Sequence, residues 1–217
     1  MPHNLNKSSG VSLIAGTVLM GFTMVLHPAG GSIEHLIKIS SVIIISHSLA
    51  LLSIPIILYG FWGLTQRLKG EFFVSTMAFI IMSFGLIAVM FAAATNGLVL
   101  PLFVKRFDAS ALTANDTAKL FISYNTTLNH AFDFIYIGAT CISVLLWSVA
   151  ILRTNLFSKW IGWLGFVLST MVVTLSISGF VFVNLSGFRV FIMGFICWIL
   201  SVGFALQRSG IPDTQKS

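Results

Sequence analysis

Six runs of apolar residues, each long enough to cross a bilayer and parted by short segments that hold nearly all the charge, leave this chain few ways to fold. Inside hydrocarbon every backbone N–H and C=O must be paired within the protein, which leaves helices and closed barrels. A barrel strand needs only about 10 residues to cross, and runs of this length suit helices of about 20. The expected fold is therefore an all-α membrane bundle of six transmembrane helices in one domain, at about residues 11–27, 40–64, 72–103, 117–152, 160–183 and 190–207.

Composition closes the soluble alternatives. Hydrophobic residues make up 57% of the chain and charged ones 8%, against roughly 25% charged in an ordinary soluble domain. The formal net charge of +6 would suggest nucleic acid in a soluble protein. Here the basic residues sit in short connections between apolar runs, which is the pattern of membrane anchoring, so no nucleic-acid partner is expected. Cys141 and Cys197 fall within apolar runs, form no C-x-x-C and are expected to pack as small hydrophobes.

Counted on alternate sides, Lys7, Arg67, Lys69, Arg153, Lys159, Arg208 and Lys216 outnumber Lys38, Lys105, Arg106, Lys119 and Arg189. That bias predicts a multi-pass protein of the inner (plasma) membrane with both termini cytoplasmic. The first run resembles a signal peptide in length and basic start, but His27, Pro28 and Ala29 stand where small-x-small residues would be cleaved, so it is expected to stay as a helix. Residues 28–38 read as a loop or interfacial turn, residues 104–119 as the longest polar connection, and residues 208–217 as a disordered tail. Trp62, Trp147, Trp160 and Trp163 flank the basic connections, as interfacial aromatics do.

One polar stripe interrupts this pattern. Asn125, Asn129, Asp133, Tyr136 and Thr140 recur at helical spacing on the fourth run, with Thr126 and His130 beside them. Asp133 is the only acid within an apolar run, and an ionisable group at membrane depth costs several kcal/mol unless it faces protein or water. His47 precedes Arg67 by about the interval that separates His130 from Arg153, which sets both histidines at one depth; His27 and Asn96 fall at the same level. The candidate ligand-binding residues are Asp133, His130, His47, Asn96 and Asn129, with Arg189 placed to neutralise Asp133.

Three functions suit these residue types. Asp133 and His130, one turn apart, could share a proton while the asparagines hold the polar head of a small molecule or lipid. His47 and His130 could be axial ligands of a haem b, or His27, His47 and His130 could hold a divalent metal with Asp133 orienting His130. The third is an accessory or scaffold subunit for a membrane protein partner, its polar residues serving only to join helices. Nothing specifies an enzyme: there is no activated serine or cysteine arrangement and no phosphate loop. The ceramidase and adiponectin-receptor group is similar only in having membrane histidines, a serine and an aspartate; it has seven helices and a paired H-x-x-x-H that is absent here.

The segment His130 to Leu168, HAFDFIYIGATCISVLLWSVAILRTNLFSKWIGWLGFVL, resembles the C-terminal part of a bacterial family of six-helix membrane proteins of unknown function. There a histidine opens an apolar helix, a basic turn ends it, and a W-L-G-type entry starts the next; the matching positions are His130, Arg153, and Lys159 with Trp160 to Gly165. The family's usual proline in the basic turn is replaced by Phe157 and Ser158. The resemblance implies six helices and a bacterial inner-membrane setting, and no activity.

Overall fold

Each of the six apolar runs forms one helix long and apolar enough to span a membrane, and the described residues contain no strand. The computed structural model describes residues 3–28, 32–106 and 116–208; most of the expected polar connection at 104–119 and nearly all of the expected disordered tail lie outside them. The helices are the first, His3–Leu26; the second, Ile33–Arg67; the third, spanning Lys69–Val104; the fourth, Asp116–Arg153; the fifth, Lys159–Ile177; and the sixth, Leu185–Arg208.

Several helix ends differ from those expected, for local reasons. The first helix begins at His3 instead of residue 11, because its polar first turns need no lipid to be helical. The second begins at Ile33 instead of residue 40, so most of the segment expected to be a loop is helix. Ser32 caps it by accepting the N–H of His35, and Glu34 in the first turn favours the positive end of the helix dipole. The fifth ends at Ile177 instead of residue 183. Gly179 adopts φ 91°, Phe180 N–H bonds the Leu175 carbonyl and Gly179 N–H that of Ser176, the double closure of a helix stopped by a left-handed glycine. The sixth starts at Leu185 instead of residue 190, capped by Asn184, whose side-chain oxygen accepts the Gly187 N–H at 2.7 Å.

Each helix packs on its neighbours in sequence, and the sixth returns to the first, so the six close a ring. Glycines set how near the first helix lies to its neighbours. A β-carbon at Gly60 would fall 2.5 Å from Leu13 Cγ, and one at Gly10 would fall 2.6 Å from the Gly203 carbonyl oxygen. Close approach of this kind is what holds helices together in lipid, where the hydrophobic effect no longer drives association.

Large rings fill the middle of the ring of helices. Phe61 stacks on Trp147 at 4.7 Å, Trp147 lies 6.3 Å from Trp198, and Phe191 meets Phe195 at 4.8 Å; all five are fully buried. Trp147 was expected at the interface with Trp62, Trp160 and Trp163. Those three are exposed, whereas Trp147 faces inward because its indole N–H has a buried partner, the Thr65 hydroxyl at 3.3 Å. Cys141 is buried as expected, but Cys197 is exposed on the outer face of the sixth helix.

The third helix is not regular throughout. Pro101 has no N–H to give the Gly97 carbonyl and its ring would crowd that carbonyl, so Thr95–Val99 widens into a π turn with the Leu100 N–H bonded to Thr95. The extra residue in this turn determines how Asn96 and Gly97 are presented.

Candidate functional site: a polar cavity at one end of the bundle

Above the aromatic core, at the end opposite the Arg67 and Arg153 turns, the ring of helices leaves a cavity of about 350 Å³. Its walls carry His27 from the end of the first helix, His47 from the second, Asn96 from the π turn of the third, and Asn129, His130 and Asp133 from the fourth, with Phe188 from the sixth. All five candidate ligand-binding residues and His27 thus line one space. They converge because the polar stripe turns inward: Asp133, Tyr136 and Thr140 are buried and Asn125 and Asn129 half-buried. Tyr136 lies toward the core, 5.9 Å from the Phe191 ring.

The pairings within the cavity differ from those expected. Asp133, 8% exposed, accepts a 2.8 Å hydrogen bond on Oδ2 from Asn129, one turn before it. His130, which was expected to share a proton with Asp133, is exposed, and no bond joins the two. Positions three and four residues apart are both neighbours on a helix, and here the more buried one, Asn129, is the partner. Asn125, absent from the candidate set, joins the third and fourth helices by donating to Asn96 at 3.2 Å. The signal for it was its place in the stripe, four residues before Asn129.

Arg189 does not neutralise Asp133. Its guanidinium donates to the backbone carbonyl of His27 at 2.7 Å, satisfying a carbonyl at the end of the first helix. Asp133 makes no ion pair with any of the described residues.

The two inner histidines lie against each other, ring centroids 4.9 Å apart and planes inclined at 54°. Each commits Nδ1 to a carbonyl, which can only accept: His47 to Ile43 at 2.9 Å and His27 to Pro28 at 3.1 Å. The proton therefore sits on Nδ1 in both neutral rings, and Nε2 carries the free lone pair. His27 lies beyond the end of the membrane-spanning segment. Burial lowers its pKa below the ordinary 6.5, and the nearby Arg189 acts in the same direction.

A bound imidazole donating its second nitrogen to a carbonyl is also how histidine metal ligands are oriented. Yet the described residues contain no group of three or more His, Cys, Asp or Glu side chains placed to hold a metal ion. The three-histidine site expected from His27, His47 and His130 therefore does not assemble: His47 is buried against His27, whereas His130 sits on the exposed side of the fourth helix. His47 and His130, the pair expected as haem ligands, both line the cavity, His47 buried and His130 exposed.

No family model matches the chain, and neither the curated proteins nor the solved structures contain a match to it.

Proposed function

We propose that this chain is a multi-pass protein of the inner membrane, both termini cytoplasmic, that binds a small molecule or the polar part of a lipid in the cavity between its helices. The observation that carries this reading is the meeting of six polar side chains from four helices around about 350 Å³ of space. That volume lies in the range of small-ligand pockets, roughly 300 to 1,000 Å³, in which mostly apolar walls carry a few convergent polar groups. Polar residues whose only task is joining helices bond directly across the contact, as Asn125 and Asn96 do, and leave no room between them. The orientation rests on the Lys and Arg bias, which sets the cavity at the end away from the cytoplasm.

The test is mass spectrometry under non-denaturing conditions of the protein released from nanodiscs of bacterial inner-membrane lipid. A bound small molecule or lipid is expected on the wild type and lost in Ala93→Phe, which fills the cavity from a buried wall position. Exchange of the exposed Ile80 for Ala should leave the adduct in place. An adduct unaffected by Ala93→Phe would remove the cavity from the account. A wild type free of any adduct would favour the scaffold reading, in which the chain serves a membrane partner.

A further inference from the structure

We propose that the ligand of this cavity is an organic ammonium: a primary amine on a small apolar body, its charge held by Asp133 and its remaining N–H groups by the imidazoles. The proposal rests on the cavity being a ligand site and adds the chemical class. It comes from a count of donors and acceptors. Among the described residues Asp133 is the one carboxylate lining the cavity, and only Oδ2 has a partner there, Asn129. His27 and His47, their Nδ1 protons spent on carbonyls, each offer an Nε2 lone pair. Three acceptors from three helices thus line one space. Arg189 donates to the His27 carbonyl and makes no ion pair with Asp133, and no lysine or arginine among the described residues lines the cavity.

Three acceptors and a single acid with no fixed counter-charge are complementary to a donor that brings one positive charge. A buried carboxylate is costly unless paired, and an ammonium supplies both the counter-charge and the hydrogen bonds. A metal dication would need at least three protein ligands of suitable kind, and the described residues do not group three. An anion would meet the Asp133 charge with no lysine or arginine in the wall to offset it. Apart from Thr23, Asn96, Thr126 and His130 the rest of the wall is apolar, with the Phe188 ring on one side, so the carbon body of the ligand is hydrophobic and close to a phenylalkyl group in size.

Three probes of one shape decide the class: 2-phenylethylammonium, 2-phenylethanol and 3-phenylpropanoate, titrated calorimetrically into the full chain in nanodiscs. The ammonium is expected to bind on the order of tenfold or more tighter than either of the others, and Asp133→Asn to abolish that preference. The ranking of the probes on the wild type stands whether or not Asp133→Asn folds. Asp133→Glu, which keeps the charge and shifts it by one methylene, should stay selective for the ammonium with weaker affinity. Equal or tighter binding of the alcohol or the carboxylate overturns the proposal, as does ammonium affinity that survives Asp133→Asn. If the alcohol binds and Ala93→Phe blocks it, the cavity remains a ligand site and only the class has failed. If no probe binds while the wild type still carries a native adduct lost in Ala93→Phe, the class again fails alone; if both are absent, the ligand-site reading falls with it.

Discussion

The imidazole of His47 lies directly on the backbone of Gly97: a β-carbon built there would be 2.0 Å from Cγ of the histidine and 2.1 Å from its β-carbon. No side chain fits between them, so Gly97 sets the height of His47 in the cavity. Gly97→Ala is expected to push the ring away and to cost about 1–3 kcal/mol, as overpacking of a tight core does. Thermal unfolding in detergent should show the loss, whereas Gly70→Ala, where nothing lies within 4 Å, should leave the midpoint close to wild type. Equal midpoints for the two variants would mean that the contact carries no strain.

Pro101 fixes the register of the same segment. Pro101→Ala restores an N–H that can reach the Gly97 carbonyl, which lets the π turn at Thr95–Val99 relax to an α-helix. Removing one residue from the widened turn rotates the part of the helix before it by about 100° relative to the part after it, because each residue of an α-helix turns by that amount. The pair Asn96→Cys and Asn125→Cys, built where the two asparagines bond, is expected to crosslink under mild oxidation in the wild-type background and to lose that crosslink when Pro101→Ala is added. A crosslink of undiminished yield would show that proline does not hold the turn.

Much of this arrangement was legible in the residues before the fold was known, and the reasons are physical. The spacing of Asn125, Asn129, Asp133, Tyr136 and Thr140 could only mean an inward face, since five polar groups in a row do not face lipid. Counting back from Arg67 and Arg153 set His47 and His130 at one depth because helices rise evenly. Partners were not legible. Asn129 and His130 both neighbour Asp133 on the helix, and the choice between them depends on which side the third helix covers. Trp147 reads like Trp62 and Trp160 in sequence, each being a tryptophan near a basic turn. Only the Thr65 hydroxyl, brought in by the second helix, makes its indole a core group.

The bond between Asn129 and Asp133 makes a quantitative claim against the alternative pairing with His130. In a double-mutant cycle, Asn129→Ala and Asp133→Ala are expected to couple by about 0.6 kcal/mol and at most about 1.7, the average and the maximum measured for hydrogen bonds between side chains of membrane helices. His130, exposed and not bonded to Asp133, should couple with it by close to zero. Unfolding free energies of the single and double variants in one detergent give both numbers. A coupling to His130 that exceeds that of Asn129 would reverse the assignment.

The last expectation concerns acid. His27 is half-buried at the end of the first helix, with the His47 ring 4.9 Å away and the Arg189 guanidinium on its own carbonyl. Burial above all, with Arg189 adding to it, holds its pKa below the ordinary 6.5, while its bond to the Pro28 carbonyl works the other way without offsetting burial. In the unfolded chain neither burial nor Arg189 acts, so between the lowered value and 6.5 the unfolded state binds more protons than the folded one. Stability therefore rises with pH across that window. His27's contribution to the thermal midpoint is expected to be level in pH above 6.5, to fall on acidification through the window, and to level again once His27 is protonated in both states. His27→Gln removes the titrating group and should flatten its part of the fall; any slope that persists in the variant belongs to other groups, His47 first among them by proximity. A wild type and a His27→Gln variant that lose stability in parallel from pH 7 to pH 5 would show that His27 is not held neutral by the fold.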